Sequence, residues 1–142
     1  MTSETAATHK FSHFGICVTD LERSLRFYRD GLGFVDGLEL PLDDQAKALL
    51  SISGELAATS HFIRLGDVAL ELLHFRSPAP ISSPGPRPMN QLGSTHLSLR
   101  VPDVDKVAAV LDKQPQAMVR NTFADCETDI EICGRRFWAA RE

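Results

Sequence analysis

Shifting the sequence against itself from His13 to His96, by 83 residues, lays HFGICVTDLERSLRFY over HLSLRVPDVDKVAAVL without a gap. His13 falls on His96, Val18 on Val101 and Asp20 on Asp103. The character also matches at Phe14 with Leu97, Ile16 with Leu99, Leu21 with Val104, Glu22 with Asp105 and Arg23 with Lys106. A chain that repeats a unit in this register is expected to fold as two copies of one module.

Each copy opens with period-2 alternation, so Phe14, Ile16 and Val18 share one strand face and His13, Gly15 and Cys17 the other. The second copy sets Leu97, Leu99 and Val101 against His96, Ser98 and Arg100. An aspartate follows in both, Asp20 or Asp103, placed to cap a helix by accepting a free backbone N–H of its first turn. In the first helix Leu21, Leu25 and Tyr28 form one stripe, and Gly31 and Gly33 supply the stop.

Beyond it the pattern predicts a strand near Phe34 to Leu40 and a short helical excursion over Asp43 to Ile52. Strands near Ser60 to Leu65 and Val68 to Phe75 follow, joined by a tight turn at Gly66-Asp67. Five prolines between Ser77 and Pro88 exclude a sheet or helix interior and mark a linker. Module two then has its strand and helix, a strand near Met118 to Thr122 and another near Arg135 to Arg141; by the pattern of module one, a last strand is expected to be absent. The expected organisation is α+β: a single domain over 1–142, with module one at about 11–76, a linker at 77–92 and module two at 93–142.

At 142 residues and 43% hydrophobic, the chain has the size of one domain with a proper core. Its charge of −4 comes from 15 basic and 19 acidic residues scattered without a like-charge run, which argues against nucleic acid or an anionic membrane as partner. No apolar stretch has the roughly 18 residues a membrane helix needs, and Met1 to Lys10 has no leader pattern, so a cytoplasmic location is expected. Cys17, Cys126 and Cys133 are odd in number and lack Cys-x-x-Cys spacing, which reads as reduced thiols.

The His-led strands, the Asp-led helix starts, FYRDGLGF at Phe27 to Phe34, VALELLHF at Val68 to Phe75 and LGSTHLSLRVPDVD at Leu92 to Asp105 together resemble the vicinal oxygen chelate superfamily. That group includes glyoxalase I, methylmalonyl-CoA epimerase, extradiol dioxygenases and bleomycin-resistance proteins. The resemblance implies two βαβββ modules pairing around a cleft, with metal ligands on the first and last strands of each. Carried over residue by residue, the ligands are His13, Glu71 and His96, holding one divalent ion: Ni, Co, Zn, Mn or Fe. The family's fourth ligand is a Glu on the last strand, and the 83-residue offset carries Glu71 to position 154, past Glu142.

The parity of the strand agrees with that assignment: Glu71 shares a face with Ala69, Leu73 and Phe75, while Leu70 and Leu72 take the other. A buried carboxylate among leucines needs a partner, either an ion or an inward arginine such as Arg100. Arg100 is a candidate for binding an anionic substrate group and is equally readable as a salt-bridge residue. Phe75 and Trp138 are candidates for lining a pocket. His74, His9 and His61, the last placed at a strand edge, carry the structural reading, and Cys17 that of a wall residue.

The resemblance implies a small-molecule substrate and a homodimer. It implies a metal-dependent isomerase or lyase of the glyoxalase I type, with Glu71 moving a proton through an enolate-like state. An acyl-CoA epimerase, an extradiol-type dioxygenase and a metal-free ligand-sequestering protein are the alternatives. Where glyoxalase I has Asn-Trp after the fourth strand, this chain has His74-Phe75.

Overall fold

The computed structural model describes residues 10–81, 90, 92–93, 96–113, 118–123, 127–132 and 135–141, with residue 96 and the last three stretches described by backbone alone. The elements run β1 (Phe14–Val18), α1 (Leu21–Leu25) continued by a π-helical turn (Arg26–Gly31), β2 (Val35–Leu42), a 3-10 turn (Asp44–Ala46) leading into α2 (Lys47–Leu50), β3 (Ala57–Leu65) and β4 (Val68–Ser77). The second copy follows as β5 (His96–Val101), α3 (Val104–Leu111), β6 (Met118–Phe123), β7 (Glu127–Ile132) and β8 (Arg135–Arg141). His9, the proline-rich residues 82–89, Cys126 and Cys133 lie outside the described residues.

The two sheets have the same topology. Their strand orders are β1-β4-β3-β2 and β5-β8-β7-β6. In each, the first strand pairs in parallel with the last, and the remaining pairs are antiparallel. The repeat read from the sequence is therefore a structural duplication of a βαβββ unit.

The expected absence of a last strand is corrected here. Module two has four strands, and Arg135–Arg141 is the last of them, β8; the strand overlooked is β7. ETDIEI alternates properly but places Glu127, Asp129 and Glu131 on one face, and acidic residues are poor strand formers taken alone. In register, Arg120 lies opposite Asp129 and Arg136 opposite Glu131.

The chain divides into two compact units, the residues up to Leu21 with Phe34–Pro80 and Glu22–Gly33 with the residues from Ile81 onward. In the first unit the core-facing parity is clear: Ile16, Val18, Ile63, Leu70 and Leu72 are all buried. Each such side chain contributes roughly 1.5–3 kcal/mol on leaving water. In the second unit α3 packs on the π-helical turn, β7 and β8. Its stripe of Val104, Val107, Ala108 and Leu111 follows helical spacing, with Val104 and Leu111 buried. Gly31 is needed where the turn meets this helix, since a Cβ there would stand 2.7 Å from Leu111 Cδ2. Asp103 caps α3 as expected, accepting from the Lys106 backbone N–H at 3.0 Å.

Candidate functional site

β1 and β4 are adjacent and parallel, with Gly15 opposite Glu71, so the residue just before β1 and the middle of β4 meet on one face of the sheet. His13 and Glu71 are brought together there, Nε2 to Oε2 at 3.4 Å. The other ring nitrogen, Nδ1, lies 2.8 Å from the Ser12 hydroxyl oxygen. Phe62 of β3 stands edge-on to the imidazole, with ring centroids 5.1 Å apart and planes at 84°. Glu71 is the more enclosed partner, its side chain 19% exposed against 38% for His13, so solvent reaches the pair from the histidine side.

The second Glu71 oxygen is occupied. Ser60 of β3, 1% exposed, donates its hydroxyl to Oε1 at 2.5 Å. Ser60 was not a sequence candidate, because a lone serine in a strand carries no motif. The signal that finds it is parity, since Ser60 and Phe62 alternate onto the face of Glu71 while His61 and Ile63 take the opposite one.

The His13–Glu71 distance fits a shared ion. Two donors at about 2.0–2.2 Å from one metal, at bond angles of about 90–109°, lie about 2.8–3.6 Å apart. A charge-assisted hydrogen bond would be shorter, at about 2.7–2.9 Å. Nδ1 also has the hydroxyl partner that fixes the ring of a metal-bound histidine. Among the described residues no three His, Cys, Asp or Glu side chains gather as an ion site. The expected third donor, His96, is described by its backbone, which opens β5 opposite Arg136.

The duplication also locates the counterpart of Glu71, and it is not past Glu142. Gly15 aligns with Ser98; Gly15 pairs with Glu71 and Ser98 pairs with Trp138. Trp138 therefore holds in β8 the register position that Glu71 holds in β4. The 83-residue offset fails there because module two is shorter between its first and last strands than module one. The exchange is reciprocal, since Phe62 lies opposite Glu71 in the first sheet and Asp129 lies opposite Trp138 in the second.

Phe75 lies on the Glu71 face of β4, opposite Ala58, and is half-buried. Arg100 is exposed on the His96 face of β5, opposite Ala140. Cys17 is exposed on the Gly15 face of β1. His61 departs from its expected place at a strand edge: it is 8% exposed in the body of β3. Its Nδ1 lies 2.7 Å from Glu39 Oε2 and its Nε2 2.9 Å from Asp36 Oδ1, on the sheet face away from Glu71. The two nitrogens address carboxylates on opposite sides of the ring, an arrangement that ties β2 to β3 across a register shift.

Residues 10–122 match the family model of the glyoxalase/bleomycin resistance protein/dioxygenase superfamily. No curated protein sequence matches the chain. Among solved structures, a glyoxalase family protein from Bacillus cereus is similar at TM-score 0.78 and 20% identity, over 96% of this chain and 97% of that one. The trypanothione-dependent glyoxalase I of Leishmania major is similar at TM-score 0.71 and 18% identity, over 95% and 88%. A fosfomycin resistance protein, FosX, from Mesorhizobium loti follows at TM-score 0.59 and 15% identity, over 92% and 90%. At these identities the solved structures establish the fold, and the family model covers most of the sequence. The chain belongs to the glyoxalase/bleomycin resistance protein/dioxygenase, or vicinal oxygen chelate, superfamily.

Proposed function

We propose that the chain is a divalent-metal-dependent isomerase or lyase of the glyoxalase I type, acting on a small oxygenated substrate through an enolate-like state. The observation that carries this reading is the His13–Glu71 pair, at the spacing of two donors to one ion. His13 and Glu71 would hold the ion, with His96 as third donor by its equivalence to His13 in the repeat. Nitrogen and oxygen donors of this kind suit Ni, Co, Zn, Mn or Fe. When bound, the ion supplies Lewis-acid stabilisation of negative charge on a substrate oxygen.

The chain's own residues do the rest. Glu71 accepts a proton from a substrate carbon and returns it to the neighbouring carbon, while Ser60 keeps Oε1 engaged. We assign Arg100 to an anionic group of the substrate, through two parallel N–H donors, and Phe75 and Trp138 to its apolar part. The family likeness supports a homodimer.

The test is metal analysis of the purified protein beside a His13→Ala/Glu71→Gln variant, paired with solvent-deuterium incorporation into α-hydroxythioesters and acyl-CoAs. About one ion per chain, lost in the variant together with deuterium exchange, is the expected result. Equal metal content in both proteins contradicts the ion assignment. A second reading, metal-free sequestration of a ligand, is favoured by one observation, the tryptophan at the register position equivalent to Glu71. Ligand binding that persists after chelation, without deuterium exchange, selects it.

A further inference from the structure

We infer that Ser60 is a positioning residue for Glu71, holding its carboxylate in the orientation that turns one oxygen toward His13; the inference rests on the ion-holding reading of that pair. Ser60 lies in β3 directly opposite Leu73, which places it diagonally from Glu71 on the same sheet face, within side-chain reach. Its hydroxyl is buried and has one donor proton, given to Glu71 Oε1. The partner of this buried hydroxyl is thus the carboxylate of the site and not the surrounding backbone.

A glutamate's terminal torsion is broad, so without a restraint the plane of its carboxylate turns freely. Gly15 offers no side chain, and even a Cβ there would stand 3.5 Å from Oε2, an ordinary contact distance. Ser60 therefore supplies the directional contact that leaves Oε2 facing His13 Nε2 at 3.4 Å. Partners of this kind, one step behind a metal ligand, typically change ion affinity by about 10–100-fold when removed.

Ser60→Ala, Ser60→Thr and Glu71→Gln are titrated with Co(II) by calorimetry beside the wild-type protein, with thermal melts to show folding, and the wild-type, Ser60→Ala and Ser60→Thr crystal structures are solved. Ser60→Ala is expected to bind Co(II) about 10–100-fold more weakly at unchanged stoichiometry. Ser60→Thr, which restores the hydroxyl, is expected to recover most of that loss, and Glu71→Gln to abolish binding. In the Ser60→Ala crystal the Glu71 carboxylate is expected to turn away from its wild-type orientation, and in Ser60→Thr to keep it. Unchanged affinity and unchanged Glu71 orientation in Ser60→Ala, with binding still lost in Glu71→Gln, overturn the role of Ser60 and leave the ion-holding reading standing. A wild-type protein that takes up no Co(II) overturns the ion-holding reading instead. The crystals then decide on Ser60 alone: a carboxylate turned in the alanine variant and held in the threonine variant supports the inference, and one unmoved in both defeats it.

Discussion

A carboxylate set between Leu70 and Leu72 on a central strand is stable because both of its oxygens have somewhere to go. Oε1 takes the Ser60 hydroxyl and Oε2 faces an imidazole. His61 solves the same problem on the other face, with each ring nitrogen set against a carboxylate. Replacing His61 by Leu removes both of these hydrogen-bonded contacts, so urea unfolding should show a loss of about 1–3 kcal/mol. An unchanged denaturation midpoint would mean that the bridge adds no net stability. At this scale the sequence was legible where a residue stood out against its strand. Glu71 interrupts a leucine run and His13 has an aligned twin, and both features survive in a one-dimensional pattern. Ser60 and the Asp36–His61–Glu39 bridge depend on which strands become neighbours and on the register shift between Asp36 and Glu39, and neither is written in local spacing.

Helix α3 begins where its aspartate cap predicts, and the cap is tied to pH. The backbone N–H of Lys106, and then its side chain, hold the Asp103 carboxyl below its ordinary value of 3.8. A carboxyl depressed in the folded state binds its proton less readily there than in the unfolded chain. The cap's contribution is therefore full above the ordinary value and fades as pH falls through the lowered one. Asp103→Asn should lower the melting temperature at neutral pH, with the gap to wild type closing in strong acid; a gap of constant size would show that charge is not involved. In β2, Gly37 is confined by the neighbouring strand, because a Cβ there would meet the Phe62 carbonyl oxygen at 3.0 Å. Gly37→Ala should cost about 1–3 kcal/mol by urea unfolding, through overpacking against backbone that cannot rotate away. Elements with a cap or an apolar alternation could be read from the sequence. β7 could not, because Glu127, Asp129 and Glu131 weaken its local strand signal.

Across the chain, duplication is the organising fact, and divergence within it carries the functional content. The sheets repeat in strand order and direction, yet the position of Glu71 has become Trp138 and that of Phe62 has become Asp129. The repeat could be read at its strand–helix starts, where an 83-residue shift aligns both copies, and lost its register later, where module two is shorter. Stability of the first sheet depends on its apolar face. Leu72→Ala, at a position with no exposed surface, should cost about 2–5 kcal/mol and lower the unfolding midpoint in step. Whether His13 and Glu71 are donors to one divalent ion is decided by calorimetric titration of the chelator-treated protein with Co(II). Saturation is expected at about one ion per chain for wild type, with no measurable binding for Glu71→Gln or His13→Ala variants that melt as cooperatively as wild type. Wild-type protein that takes up no ion, or variants that bind it as tightly as wild type, would contradict the ion assignment.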